Sequence, residues 1–350
     1  MIVSASIRNR LIGLLVPMLA VCACPVDGCA QKAVAGGSIN KVTGSNLPTL
    51  ASMAQAVLSQ DYTVEQLRRF RDENGNVVTV RERLEVDTNG TPDPKFAVTF
   101  LDVVGEPTGS PLYLEWQQAY SRFGELFFKH ASFRVRDLVG ASANYTLHDF
   151  GPVVRAGRVA RRMVVFPNAG DKAIWVVDVD SITSVPLFVA EFDSQLQIFA
   201  EIEVVTFSNS VGQIPQTLTA ANITSVPCFQ AALPLFNSTA GLIDPDTSAV
   251  ADYNLAEVEV HDDPINGDQK LVMTYTDGID EFMVVQAVNQ PDPFSGLPGS
   301  GANVIGRFRD PAVSALVFWD DNVAFQVAGR GSLQRLDSVA RNIYVQALAN

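Results

Sequence analysis

Histidine and cysteine are almost absent from this chain, and much chemistry is absent with them. Three histidines, His130, His148 and His261, are scattered through 350 residues with no spacing that lets two of them share a metal ion. Of the four cysteines, Cys22, Cys24 and Cys29 crowd the first 30 residues and Cys228 stands apart, which excludes a disulfide framework and a thiolate zinc cluster. Cys228, between Pro227 and Phe229, reads as a small buried hydrophobe. Also missing are a glycine-rich phosphate loop, a serine in a nucleophile elbow, and the ligand spacing of a calcium loop around Asp262 to Asp268. Of the acid pairs that remain, Asp262 with Asp263 and Asp320 with Asp321 fall where hairpin turns are expected. Asp178 and Asp180 share one strand face with no histidine near them in sequence. No catalytic residue, metal or cofactor is expected, and the chain does not read as an enzyme.

Charge is scarce too. Charged residues make up 18% of the chain, and 38 acids against 25 bases leave a net charge of −13. A general nucleic-acid binder needs the opposite balance to neutralise phosphates, so nucleic acid is excluded as a partner class. No hydrophobic run reaches the roughly 20 residues that cross a bilayer. What is present is apolar material, 47% of the residues, enough to bury sizeable cores in a chain of this length, most simply as two domains.

The first 30 residues read as an export signal. Arg8 and Arg10 form a positive start, Leu11 to Ala23 an apolar stretch broken by Pro17, and Ala23 or Ala30 a small residue for cleavage. Val21, Cys22, Ala23 and Cys24 loosely resemble a lipobox, so a lipid anchor on Cys24 is the alternative to a free periplasmic protein. Residues 31–46 read as a flexible leader, 47–207 as a first domain, 208–251 as a linker and 252–350 as a second domain. Asn46 reads as a helix cap, with Leu50, Met53, Ala54, Val57 and Leu58 on one face of the helix behind it. Val78, Val80, Leu84 and Val86 then alternate with Thr79, Arg81, Arg83 and Glu85. Asn74-Gly75 and Asn89-Gly90 flank that run as hairpin turns.

From Leu112 to Phe128 the rings of Tyr113, Trp116, Tyr120, Phe123 and Phe127 recur every three or four residues, which puts all five on one side of a helix. Such a helix either completes the core on the concave side of a sheet or plugs an apolar cavity fit for an acyl chain. Strands resume from about Ser132 to Phe207, with turns at Pro167 to Gly170, Asp180 to Ser184 and Asp193 to Ser194. In the linker, Phe229, Leu233, Leu235 and Phe236 indicate that part of it packs. Six further strands follow between Leu255 and Val327. A closing helix, capped by Ser332, carries Leu333, Leu336, Ala340, Ile343 and Ala347 on one face.

Between Arg122 and Arg162 the balance of charge reverses. Arg122, Lys129, Arg134, Arg136, Arg155, Arg158, Arg161 and Arg162 face only Glu125, Asp137 and Asp149, a local net of about +5. If Arg155, Arg158, Arg161 and Arg162 cluster, they would set affinity for an anionic partner such as lipid head groups or an acidic protein segment. The plainer reading is that alternating arginines solvate the outer face of strands.

Two segments carry a family resemblance. Ala156, Gly157, Arg158 and Ala160, then Pro167, Asp180, Thr183, Pro186 and Leu187, then Glu203 and Phe207, follow the pattern of the large domain of the MucB/RseB family of periplasmic sigma-factor regulators. Tyr275, Thr276, Asp277 and Gly278 resemble that family's Tyr-Ser-Asp-Gly turn. Gly301 to Arg307, Val327 to Gly329 and Ser338 to Ala340 also follow it. Departures lie after Pro167, where Asp171, Ala173 and Trp175 replace the family's Gly and Tyr residues, and in a longer linker. The resemblance implies an α+β protein: a half-open antiparallel sheet similar to the lipoprotein carriers LolA and LolB, with helices on its concave face, followed by a smaller antiparallel α+β domain. It further implies that the chain is a non-catalytic periplasmic binding protein that holds the periplasmic segment of a membrane anti-sigma factor, with lipid or lipopolysaccharide as the stress signal it senses. A carrier or sensor of lipids or lipoprotein acyl chains is the alternative.

Overall fold

The computed structural model describes residues 48–71, 76–88, 95–120, 132–168, 172–192, 196, 198–212, 223–239, 241–245, 250, 253–262, 269–288, 306–310, 313–320, 323–329 and 333–349. Period-two burial organises most of it into two antiparallel sheets. The first is built from β1 (Tyr62–Arg71), β2 (Val77–Asp87), β3 (Lys95–Val103), β4 (Tyr145–Arg155), β5 (Arg158–Pro167), β6 (Ile174–Asp180), β7 (Pro186–Phe192) and β8 (Ile198–Ser208). They lie in the order β3-β2-β1-β8-β7-β6-β5-β4. β8 turns back to pair with β1, so β3 and β4 are left as the edges of an open sheet.

Alternation decides which side each residue faces. Val80, Leu84 and Val86 of β2 are buried on the inner side, as are Met163 and Val165 of β5 and Trp175, Val177 and Val179 of β6. Helices cover that side. α1 (Leu50–Ser59) starts at Thr49, whose hydroxyl accepts from the Ser52 amide at 3.0 Å while the Ser52 hydroxyl accepts from the Thr49 amide at 2.9 Å. This reciprocal capping box fixes the start of the helix at Thr49, where the sequence reading had Asn46, a residue outside the described ones. Met53 and Ala56 of α1 are buried, and Leu58 is exposed. α2 spans residues 111–120, and α3 (Leu138–Asn144) is capped by the Asp137 carboxylate, which accepts from the Val139 amide at 2.9 Å. The two Asn-Gly pairs lie outside the described residues. The registers Arg71↔Val77 and Asp87↔Lys95 nevertheless close a hairpin round each.

The edge strand β4 is kinked. Its register against β5 shifts between Asp149 and Pro152, Gly151 takes φ +97°, and the Asp149 carboxylate accepts from the Gly151 amide at 2.9 Å. At its far end Ala156 and Gly157, at φ 47° and 71°, form the two-residue turn into β5. Both positions need the left-handed region that a primed hairpin turn demands.

The second sheet contains β9 (Ile223–Val226), β10 (Asn254–Asp262), β11 (Gln269–Thr276), β12 (Glu281–Ala287), β13 (Gly306–Asp310), β14 (Val313–Asp320) and β15 (Val323–Gly329), in the order β13-β14-β15-β12-β11-β10-β9. Among the described residues, α4 (Phe229–Ala232) and α5 (Leu333–Ala349) accompany it. Leu336, Ala340, Ile343 and Ala347 of α5 pack on one face of the sheet with Leu271, Val284, Phe318 and Phe325. Phe229, Ala232, Phe236, Ile243 and Val250 join the same core. The stretch 208–251 is therefore not a free linker over its whole length: β9 pairs with β10, and the residues behind it supply core. Cys228 is disulfide-bonded, which corrects its reading as a small buried hydrophobe.

Ile343 tests the second core. It is fully buried on α5, so Ile343→Ala should cost about 2–5 kcal/mol in equilibrium urea unfolding through the lost transfer energy and the cavity left behind.

Candidate functional site

Of the four arginines of the predicted basic patch, Arg155 and Arg162 share Asp178 and Arg158 takes nearby Asp180, whereas Arg161, next to Arg162 on β5 and so turned to the other face, pairs with Asp149; none of them presents a bare charge. Arg162 makes a two-pronged contact with Asp178, at 2.7 Å (Nε to Oδ1) and 2.9 Å (Nη2 to Oδ2). Arg155 donates from Nε to Oδ2 of the same carboxylate at 2.6 Å and from Nη1 to Glu203 at 3.3 Å, with its guanidinium 4.2 Å from the centre of the Phe188 ring. Glu203 also accepts from Arg69 at 2.8 Å. An unbroken chain of alternating charge thus runs Arg69, Glu203, Arg155, Asp178, Arg162 on the outer side of the sheet. Arg158 grips Asp180 at 3.0 and 2.8 Å, and Arg161 grips Asp149.

Asp178 has no exposed surface and Asp180 almost none. Burial raises the pKa of each, but the hydrogen bonds and charge of Arg162 and Arg155 outweigh it at Asp178, and those of Arg158 and Thr183 at Asp180. Both carboxyls end below the ordinary aspartate range. Of the acids weighed in the sequence as catalytic candidates, Asp178 and Asp180 are thus engaged by arginines, and Asp262 accepts from Gln269 at 2.7 Å.

Several resemblance residues of the first domain interlock around Arg158 and Asp180. Asp180 accepts from the Thr183 amide at 2.9 Å and from its hydroxyl at 2.7 Å, closing the β6–β7 turn. Arg158, anchored on Asp180, lies 4.4 Å over the Phe207 ring, and Phe207 stacks on Tyr62 at 5.8 Å. Leu187 is fully buried beside Val204 and Val64. The pattern Ala-Gly-Arg … Asp-x-x-Thr … Glu … Phe is thereby the recipe for joining the β4–β5 turn to β6, β7 and β8.

On the inner side, α2 seats Trp116 and Tyr120 against Phe70, Val80 and Val103. Tyr113 meets Phe100 edge-on at 5.1 Å. Phe123 and Phe127 lie outside the described residues. Beneath α2 is a dry charge pair. Arg68 donates to Glu82 Oε1 at 3.0 Å from Nε and 2.8 Å from Nη2, Gln66 donates to the same oxygen at 2.5 Å, and the Tyr120 hydroxyl donates to Glu82 Oε2. Burial opposes the Arg68 charge, yet Glu82 holds that guanidinium above its usual range; burial, then the Glu82 charge, pushes the Tyr120 hydroxyl well up. Tyr120 therefore fastens α2 to the sheet. The sequence reading missed this pair. Its trace was Glu82 standing in register with Val80 and Leu84, a carboxylate on the apolar side of the alternation.

The second resemblance segment is the place where the two sheets meet. The β11–β12 turn enters the first unit, where the Gly278 carbonyl accepts from the Arg136 amide at 2.8 Å and the Asp137 amide at 3.3 Å. Asn144 donates to the Asp277 carbonyl at 2.8 Å. The Asp277 carboxylate, without exposed surface, takes Tyr145 Oη at 2.8 Å and Lys172 Nζ at 2.9 Å on one oxygen. Its other oxygen accepts the Ile279 and Asp280 amides at 3.2 and 2.9 Å. Ile279 belongs to the first sheet's core, with Met53, Phe133 and Trp175. The Lys172 ammonium lies between the rings of Tyr145 and Tyr253, 5.9 and 5.5 Å from their centres, and the Tyr253 hydroxyl donates to Asp280 at 2.8 Å. Arg136 pairs with Glu281 alongside. Among the described residues no group of His, Cys, Asp and Glu is arranged to hold a metal ion.

Three outcomes test these assignments. Arg162→Glu sets a second anion against buried Asp178 and should cost about 1.5–3 kcal/mol by urea unfolding, whereas Arg161→Glu, facing open Asp149, should leave the midpoint nearly unchanged. Glu82→Ala strands Arg68 without a counter-charge and should cost about 3–5 kcal/mol, while the double variant Arg68→Met with Glu82→Leu recovers most of that loss. Because Asp178 and Asp180 titrate lower in the folded chain than unfolded, their stabilisation is complete above the unfolded value of about 4 and drains away as pH falls through the folded values. Urea midpoints measured between pH 6 and pH 2 should decline accordingly, and less steeply in Arg162→Gln.

No family model and no curated protein matches the chain. Among solved structures it is similar to MucB in complex with MucA(peri), at 16% identity over 83% of this chain and 95% of that one, with a TM-score of 0.48. A Pseudomonas aeruginosa MucA/MucB complex is similar at 15% identity over the same shares, with a TM-score of 0.45. A putative outer membrane lipoprotein-sorting protein domain from Vibrio parahaemolyticus is similar at 10% identity over 49% of this chain and 93% of that one, with a TM-score of 0.21.

Proposed function

We propose that this chain is a non-catalytic, exported binding protein of the cell envelope that restrains an envelope-stress sigma factor by holding the periplasmic segment of its membrane anti-sigma factor. The observation that carries the reading is the place of the two resemblance segments. Each is a complete structural device rather than a loose string of matched letters: Ala156 to Phe207 ties the turn end of the first sheet, and Tyr275 to Gly278 ties the second sheet to the first. A chain that retains both devices retains the two-sheet body on which such a partner would be held. The pairing of Asp178 and Asp180 with arginines supports a binding rather than a catalytic role.

Arg161 is the residue we assign to an anionic partner. Its counter-ion Asp149 is itself partly open, so an acidic segment or a lipid head group can compete for the guanidinium without uncovering a buried charge. Arg158 and Arg162 hold fully or almost fully buried aspartates and are committed to the fold.

Tagged protein should retrieve a single-span membrane protein from a detergent extract of the envelope of its own cells, and Arg161→Glu should retrieve less of it at an unchanged unfolding midpoint. Retrieval of lipids or acylated proteins alone would reject the reading in favour of a lipid carrier.

A further inference from the structure

The β11–β12 turn is more than a point of contact. Apart from the apolar packing of Ile279, its interactions with the first sheet are directional, and several involve backbone atoms whose positions are set by secondary structure. Gly278 stands at φ +113°, and a Cβ there would come within 2.0 Å of the Ala141 amide nitrogen in α3. A Cβ on Gly140 would come within 2.8 Å of the Asp277 carbonyl oxygen. The turn and α3 thus touch backbone to backbone, with no intervening side chain to yield. Ile279, two residues before β12, fills a position in the first sheet's core. Lys172, from the β5–β6 connection, reaches Asp277 between one ring from each side of the junction, Tyr145 and Tyr253. A small slip would leave Ile279 without neighbours, the Gly278 carbonyl without donors and Asp277 without its cation. Packed contacts of this kind have two arrangements, seated or released, rather than a continuum.

We propose that the 277–280 turn, seated on α3 and clamped by Lys172, is a latch that makes the two sheets a single cooperative body. Loosening of either sheet is transmitted to the other through Ile279 and Asp277. Lys172 is a positioning residue that acts by holding Asp277 in its seat. The inference is independent of which partner the protein binds, since it concerns only how the two sheets are coupled.

Differential scanning calorimetry on the full chain tests it. The unaltered protein should give one heat-absorption peak whose van 't Hoff enthalpy equals its calorimetric enthalpy. Gly278→Val, which drives a side chain into α3, should split that peak in two. Should that variant fail to fold, Lys172→Met decides, because it removes the clamp without intruding on the backbone. It should lower the ratio of van 't Hoff to calorimetric enthalpy clearly below one, and Lys172→Arg should bring the ratio part of the way back. Two peaks in the unaltered protein, or an unchanged ratio in Lys172→Met whatever its midpoint, would overturn the proposal.

Discussion

A carboxylate sealed from water has to be met on all sides by donors, and Asp277 imposes that demand at a place where both sheets converge. Four donors answer it: two amides of its own turn, the Tyr145 hydroxyl and the Lys172 ammonium. Tyr145 begins β4 and Lys172 leads into β6, so the demand fixes those strands relative to the β11–β12 turn. Asn144, the last residue of α3, secures the adjoining carbonyl, and the α3 cap at Asp137 lies where the Gly278 carbonyl takes its amide. Much of the placement of α3, and with it the lid over one end of the first core, follows from satisfying one buried charge.

Arginine is used in two ways that the composition does not distinguish. On the outer side of the first sheet it bridges strands over partly wet ground, and its planar fork matches aspartates such as Asp178 and Asp180 in two-pronged contacts. On the inner side Arg68 is buried with Glu82, and Gln66, Ser132 and Tyr120 surround the pair with polar atoms. The outer set holds strands together across an open sheet, and the inner set specifies which helix end lies on which strand. A count of charges from Arg122 to Arg162 saw an excess of cations because their partners, Asp178, Asp180 and Glu203, come later in the chain.

Legibility in the sequence followed the range of the interaction concerned. The face of α5 was readable from Leu336, Ala340, Ile343 and Ala347 because helical spacing is a local property. The strands of the second sheet were readable for the same reason, since six strong apolar runs lie between turn residues. The position of the first helix cap was off by three residues, because Asn46 and Thr49 are both good caps and only the Ser52 hydroxyl chooses between them. β9 was hidden because Ile223–Val226 is short and set in polar surroundings; its strand character comes from pairing with β10. The bond at Cys228 was invisible for a different reason: spacing reveals frameworks of neighbouring cysteines and is silent about one long-range pair. In the candidate site, the resemblance segments contain Arg158, Asp180, Thr183, Asp277 and Gly278, whereas Arg68, Glu82 and Lys172 went unmarked. Each owes its role to a partner distant in sequence.

An open sheet has two rims, and a rim of unpaired amides and carbonyls is an invitation to any other extended chain, including another copy of the same one. On β4 the invitation is withdrawn midway. Pro152 has no amide to offer, the bulge at Asp149 throws the spacing of the remaining groups out of step, and Gly151 bends the strand away from the straight path a newcomer would follow. The irregularity gives the molecule a stopping point: the sheet ends at eight strands instead of continuing from one molecule into the next.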